Sequence, residues 1–317
     1  MHPSARLFCL ITAGLFAAMP LSDAKEPAAK PAPAASSAHG GIEFAKSDAP
    51  LDVTADQGIE FSQDAKEIIA HVNARATRGN ATVLGDRLIA YYRPKAADAG
   101  KLPPADSGKA PDDQTSASEI WRVVADGAVE IFNPTQHAYG DHADYNIDEA
   151  VVVMTGDHLK MTTPQDVITA RDTLEYWEQK RQAVARGNAV AVRAEKRIQA
   201  DLLVADLGEN AQKQLVIQTA HGYDHVVLTT ATDVVTGDRA DYVVETGIVT
   251  VTGSVKMTRQ NNQLNGGYAV VNLNTGISTL YPAPPGGKAG DRQVKGMFVP
   301  QKKAPPPAAP APAPKAP

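Results

Sequence analysis

The sequence predicts an all-β protein, built as a long and repetitive antiparallel assembly of strands. Period-2 alternation of apolar and polar residues dominates, as in VEIF at 129–132 and AVAV at 189–192. Stretches with some helical character, such as AKEIIAHV at 65–72, are flanked by strand pattern and lack convincing caps. Similar strand-Gly-strand units recur along the chain, and repeats of this size are typical of stacked supersecondary units.

The repeating unit begins at glycines of similar spacing. Five of them are separated by 29, 31, 35 and 31 residues, and each is followed by a second alternating element that often contains Ala-Asp. These five are Gly127, Gly156, Gly187, Gly222 and Gly253. A sixth, shorter unit starts at Gly79, where RGNATVL resembles RGNAVAV at 186–192. Because glycine and aspartate favour turns, we expect turns at the Gly and Asp positions.

Both ends of the chain and one internal segment are predicted to lie outside the folded part. Residues 1–24 carry Arg6, a short apolar run and a small-x-small site, typical of a secretory signal peptide cleaved after Ala24. Residues 25–49 read as a disordered linker, 94–118 as a polar insertion, and 301–317 as a Pro/Ala-rich disordered tail. Cys9 falls in the signal peptide, so the exported protein is predicted to have neither a disulfide nor a Cys-ligated metal.

Composition and motifs argue against several classes of function. The formal net charge of −5 gives no general attraction to nucleic acid, and no nucleic-acid partner is predicted. The sequence contains neither a Gly-rich phosphate loop nor a nucleophile elbow. We therefore predict no catalytic residues, no cofactor and no metal.

Recurrent aspartates and histidines allow a functional interpretation and a structural one. Asp144, Asp172, Asp201 and Asp241 recur as catalytic carboxylates of a carbohydrate-cleaving β-solenoid would. A recurring turn explains them better, since catalysis needs one special pair and not a copy in every repeat. For His221 and His225, exposed and solvated side chains are favoured over a metal site.

One parity of each strand supplies a repeated apolar face of Val, Ile, Leu and Met. Such a face is either a closed core or an apolar trough along the assembly, and the pattern leaves both open. Its predicted members are Leu51, Val53, Ile59, Phe61, Val129, Ile131, Val151, Val153, Leu159, Met161, Val190, Val192, Leu202, Val204, Val249, Val251, Val255 and Met257.

The first and last predicted strands have the composition of edges that accept another strand. PLDVTAD at 50–56 and TGISTLYP at 275–282 carry little charge and no internal proline. Strand addition at such edges would join different surfaces end to end.

The stretch PLDVTADQGIEFSQDAKEIIAHVNARATRGNATVLGDRLIAYYRP (50–94) resembles the opening of OstA-like domains of lipopolysaccharide transport proteins. Further copies resemble the same unit at 168–192 and 235–258. The resemblance divides the folded part into two OstA-like blocks, 50–160 with the insertion and 161–300. The chain departs from short members of the family by having both blocks and the insertion.

The resemblance implies a β-jellyroll, or folded-sheet, scaffold with an open apolar groove for lipopolysaccharide acyl chains. It implies a periplasmic, non-catalytic carrier that forms part of a bridge between the inner and outer membranes. Leu51 and Val53 match the lipid-contacting first strand of the family. The implied partners are lipopolysaccharide, the membrane components of the bridge through edge-strand pairing, and further copies head to tail. The residues themselves leave two alternatives, a carbohydrate-active β-solenoid enzyme and a closed-core structural repeat protein.

Overall fold

The computed structural model describes residues 51–94, 118–211, 215–287 and 293–299, and every regular element in these ranges is a β-strand. The predicted signal peptide with its cleavage after Ala24, the linker, the tail and residues 95–117 of the insertion lie outside the described residues. The described part contains no helix that is long and apolar enough to span a membrane.

The described residues form one sheet of 18 strands. The strands are β1 (Leu51–Thr54), β2 (Ile59–Ser62), β3 (Glu67–Arg78), β4 (Ala81–Pro94), β5 (Ser118–Phe132), β6 (His137–Asn146), β7 (Val151–Thr155), β8 (Lys160–Thr162), β9 (Val167–Thr169), β10 (Thr173–Trp177), β11 (Gln182–Arg193), β12 (Lys196–Glu209), β13 (Leu215–Thr229), β14 (Asp233–Val243), β15 (Ile248–Arg259), β16 (Asn262–Asn272), β17 (Ile277–Tyr281) and β18 (Lys295–Met297).

The long strands β3 to β6 and β11 to β16 each pair antiparallel with the next strand along the chain, as in a meander. Some positions are filled by two short strands: β7 and β8 pair with β6, and β9 and β10 pair with β11. The two ends have the same design, because β1 and β2 both pair with β3, whereas β17 and β18 both pair with β16. The predicted all-β, repetitive antiparallel fold is confirmed.

Three of the six repeated glycines, Gly127, Gly187 and Gly253, lie at bulges inside strands and not at the turns that we expected. The ladder shifts register at Arg186/Ala189, where Gly187 and Asn188 have φ angles of 81° and 48°, and β11 continues on both sides. Such a bulge leaves a residue unpaired and bends the strand. Gly79, in the same Arg-Gly-Asn sequence, does lie in a two-residue turn, between the paired residues Arg78 and Ala81. The same Arg-Gly-Asn sequence therefore occurs at a bulge in β11 and in the turn between β3 and β4.

Bulges at the same level in successive strands fold the sheet along a line, which we call the corner. Gly127, Gly156 and Gly253 also have positive φ there, whereas in β13 the corner falls at Asp224 and His225 and not at Gly222. Glycine is favoured at these corner positions because an L side chain is strained at positive φ, although Asp224 and His225 adopt the same conformation in β13.

An aspartate on the neighbouring strand faces each corner glycine. The carboxylate of Asp141 accepts a hydrogen bond of 2.8 Å from the backbone N–H of Asp157, directly after Gly156. A Cβ atom at Gly187 or Gly253 would collide with the side chain of Asp172 or Asp238. The hydrogen bonds that Asp172 accepts come from the side chain of Arg171, so the backbone-capping role expected for it stays a prediction.

Two adjoining clusters of buried apolar residues form the core. The first extends from Ala70 to Ala189 and the second from Ala200 to Val271, and Leu203 packs against both. The pairing registers place all members of both clusters on one face of the sheet, which we call the inner face. The fold therefore turns one continuous surface toward its own interior.

The predicted insertion joins two paired strand ends. β4 and β5 remain paired out to Pro94 and Ser118. The segment between these two residues can therefore vary in length without changing the ladder.

Candidate functional site

The inner face consists of apolar rows that cross the whole sheet. In each row, successive residues are paired Cα partners on neighbouring strands, and partners point to the same face. The first row, next to the corner, is Ile59, Ala70, Leu88, Ala125, Ala143, Met154, Leu174, Ala185, Leu203, Gly222, Ala240, Val251, Ala269 and Leu280.

A second row lies on the other side of the corner and is apolar throughout. It consists of Val53, Ala76, Val83, Ile131, Ala138, Met161, Ile168, Ala191, Ile198, Leu228, Val235, Met257, Leu264 and Gly296. A third row, farther from the corner than the first, adds aromatic rings and ends at a serine. It consists of Phe61, Ile68, Ala90, Val123, Tyr145, Val152, Tyr176, Ala183, Ala205, Ala220, Tyr242, Val249, Val271 and Ser278.

Twelve of the eighteen predicted face residues lie on the inner face. They are Leu51, Val53, Ile59, Phe61, Val129, Ile131, Leu159, Met161, Val249, Val251, Val255 and Met257. Whether any of them contacts lipid stays a prediction.

The registers correct the placement of the other six, which point to the outer face: Val151, Val153, Val190, Val192, Leu202 and Val204. Both parities are apolar in VVVM, AVAV and LLVA, so alternation does not identify the buried face there. Each bulge reverses which of the two alternating sets of residues points inward, so the buried set changes within a strand. In β11 the small residues Ala189 and Ala191 point inward, and the larger Val190 pairs with Gln199.

Burial along the rows decreases away from the corner and toward the ends of the sheet. Val251 in the first row is fully buried, whereas most members of the third row are half-buried. At the β2 end, Ile59 is 50% exposed and Phe61 is 48% exposed. The middle of the inner face is filled by its own side chains, so the predicted open groove stays a prediction.

Five histidines pair with carboxylates on the polar outer surface, namely His71, His137, His142, His221 and His225. The ring of His221 lies 2.6 Å from Asp241 Oδ1 and 3.1 Å from Asp206 Oδ2. Hydrogen bonds from Arg239 and then from His221 hold the pKa of Asp241 below its usual value. His225 pairs with Asp201 at 2.7 Å, and that bond raises the pKa of the imidazole. Within the described ranges, no group of three or more His, Cys, Asp or Glu side chains could hold a metal ion.

The four recurrent aspartates occupy two kinds of position. Asp172 and Asp201 lie at the corner, whereas Asp144 and Asp241 lie inside β6 and β14, where a turn was expected. Asp144 accepts a bidentate pair of hydrogen bonds from Arg122. Its recurrence therefore reflects cross-strand ion pairing on the outer face.

Asp172 and Asp201 line one outer pocket of about 460 Å³, together with Arg171, Arg186 and His225. The hydrogen bond from Arg171 lowers the pKa of Asp172. A glycosidase acid needs a carboxyl group whose pKa is raised, so this carboxylate has the wrong shift for that role.

Comparison with known proteins agrees with this architecture. The model of the LptA/(LptD N-terminal domain) LPS transport protein family matches the chain twice, at residues 52–172 and 168–277. The chain belongs to this family. The two matches together span β1 to the start of β17, which covers the apolar rows almost from end to end. The predicted division into blocks at 160/161 stays a prediction.

Structural comparison finds LptH, the LptA-homologous periplasmic component of the conserved lipopolysaccharide transport device from Pseudomonas aeruginosa. The two chains are 15% identical, the match covers 43% of this chain and 95% of LptH, and the TM-score is 0.37. A search of curated proteins found no match. Family membership therefore rests on the two sequence matches.

Proposed function

We propose that this LptA/LptD-family chain is a periplasmic carrier of lipopolysaccharide that holds the acyl chains along the inner face. The family match over 52–277 carries the proposal. The uninterrupted apolar rows support it, because each buried methylene of an acyl chain gains about 0.8 kcal/mol. The sugars and phosphates stay in water, where they keep their hydration.

Lipid enters at the β1/β2 end of the sheet. There Ile59 and Phe61 belong to the inner rows but remain half exposed, because no further strand covers them. Leu51 and Val53 in β1 pack against the core from the same end. An acyl chain that reaches this end can contact the exposed apolar side chains without displacing many contacts between protein side chains.

The two ends of the sheet pair with other components of a bridge between the membranes. β1 and β2 end the sheet on one side, and β17 and β18 end it on the other, each with a free backbone edge in the described chain. Ile277 and Met297 at the second end are 65% and 60% exposed. Strand addition at these edges, by membrane components or by further copies head to tail, would continue the apolar rows.

Replacing Phe61 with aspartate is expected to weaken lipopolysaccharide binding at least about tenfold, because an ionised carboxylate beside an acyl chain loses hydration without a partner. Binding is measured by titration of the purified mature protein. Val234→Asp is the matched control, since Val234 is 39% exposed but lies on the outer face. The control is expected to bind like the wild type. A folded Phe61→Asp protein with wild-type affinity would contradict entry at this end.

A photo-crosslinker at Val53 tests whether lipid reaches the interior. We expect a lipopolysaccharide adduct from Val53, on the inner face, and none from Asp52, its exposed neighbour on the outer face. If neither Val53 nor Val251 forms an adduct with lipopolysaccharide, the result would favour the closed-core alternative, in which the buried rows only stabilise the fold.

A further inference from the structure

A small pocket lies on the outer surface, where two neighbouring turns meet. It has a volume of about 280 Å³ and is lined by Asp148, Glu149, Trp177, Gln179 and Lys180. The first two residues belong to the turn between β6 and β7, and the last two to the turn between β10 and β11. Both turns lie at the strand ends that are farthest from the corner.

The walls of this pocket are held in place before any ligand binds. The Asp148 carboxylate receives two hydrogen bonds from Arg93, of 2.7 and 2.8 Å, and Arg93 Nε also donates to Glu119. The indole N–H of Trp177 donates to Glu175 at 3.0 Å. The N–H of Glu178 joins the two turns by donating to the carbonyl of Ala150. Such preorganisation lowers the entropy lost when a ligand is bound.

The chemistry of the lining fits a sugar ring. Trp177 supplies an indole ring, and the ammonium of Lys180 lies over one face of this ring, 4.1 Å from its centre. Two carboxylates accept hydrogen bonds, the ammonium donates them, and the Gln179 amide does both. Hydroxyl groups both donate and accept, and the C–H face of a hexose can stack on indole. The two carboxylates of the pocket disfavour a polyanion.

We propose that this pocket binds a hexose ring of an envelope saccharide, and that the oligosaccharide of lipopolysaccharide supplies it. The inference rests on the proposed function, because it places the sugars of the carried glycolipid outside the sheet. Trp177 directly follows Tyr176 of the third inner row and points to the opposite face. A molecule whose acyl chains lie along the inner face could therefore extend its saccharide over the strand end to this pocket.

The Trp121→Phe variant leaves Trp177 as the only tryptophan, since the chain has two. We expect its fluorescence to change saturably when lipopolysaccharide oligosaccharide freed of its acyl chains is added. Calorimetry on the wild-type protein, which keeps Trp121, should give the same affinity for the oligosaccharide as the fluorescence titration. Trp177→Phe and the double variant Glu149→Ala/Gln179→Ala should bind the oligosaccharide at least about tenfold more weakly, because a few pocket residues carry most of the binding energy. Binding of lipid A without core sugars should be unchanged in both.

Chitohexaose is the second probe, since it represents the glycan of peptidoglycan. A response to chitohexaose alone would overturn lipopolysaccharide as the source of the sugar. No saturable signal from either saccharide, in fluorescence and in calorimetry, would overturn the pocket assignment, and intact lipid A binding would leave the carrier function standing. Loss of lipid A binding by the wild-type protein would instead count against the proposed function itself.

Discussion

Replacing Asp233 with alanine is expected to lower the free energy of unfolding by about 2–3 kcal/mol, because three charge-assisted or hydroxyl donors lose their acceptor. The Asp233 side chain is only 1% exposed. It accepts hydrogen bonds from Arg259 Nε at 2.5 Å, Arg259 Nη2 at 2.6 Å and Ser278 Oγ at 2.7 Å. These bonds tie the start of β14 to the end of β15 and to β17, so the loss should be greatest at the C-terminal end of the sheet.

Urea unfolding followed by circular dichroism measures the change. Arg171→Gln is the control, because the solvent-exposed ion pair of Arg171 and Asp172 should contribute little to stability. An Asp233→Ala protein that unfolds at the wild-type urea concentration would show that water replaces the carboxylate at little cost.

The same carboxylate makes a distinct contribution to the pH dependence of stability. The hydrogen bonds from Arg259, and then from Ser278, lower the pKa of Asp233 in the folded protein. A lowered pKa stabilises the fold above the pKa of the unfolded chain, and that stability is lost as the pH falls through the folded value. The difference between wild type and Asp233→Ala should therefore be constant at neutral pH and shrink below about pH 4.

Replacing Gly237 with valine is expected to destabilise the fold by about 3 kcal/mol, because the corner has no room for a side chain. A Cβ atom at Gly237 would lie 2.5 Å from Val251 Cγ1 and 2.8 Å from the carbonyl oxygen of Thr252. The carbonyl belongs to the paired backbone of β15 and cannot move without breaking the ladder. The cost here is steric, since Gly237 does not have a positive φ.

Gly222→Ala is the matched control for this prediction. A Cβ atom at Gly222 would meet Leu203, Ala200 and Val226 at 3.4–3.5 Å, which is ordinary packing distance. Because glycine weakens a strand interior, alanine should stabilise the protein here by about 0.5 kcal/mol. Thermal unfolding of both variants compares them directly, and similar melting temperatures would mean that the corner relaxes around the added methyl groups.

Several features of the site could be predicted because they depend on local pattern. Alternation in segments such as IVTVTGSVKM gave the correct inner residues Val249, Val251, Val255 and Met257, since a polar residue separates each apolar one. The first strand was also predictable, because β1 lies in the segment identified as such, whereas the segment identified as the last strand holds β17 and no sequence pattern indicated β18, which follows it at the same end of the sheet. The apolar face was thus identified wherever its opposite face was polar.

Other features could not be predicted because they depend on residues that are far apart in sequence. Ala189 and Ala191 point inward although the neighbouring valines are larger, and no local signal indicates that choice. Only the pairing of neighbouring strands shows that the alanines of the rows point inward. The Asp233–Arg259–Ser278 connection joins three strands across 45 residues, and the Trp177 pocket combines two turns about 30 residues apart.

Local sequence patterns were sufficient to show that the chain is a repetitive β protein and to which family it is related. Strand propensity, alternation and repeat spacing are properties of neighbouring residues, so they can be read without coordinates. The strand pairing was needed to show which face of each strand is inside. A bulge adds one residue and thereby reverses the parity of everything that follows, and where both parities are apolar, only the partner strand shows which one is buried.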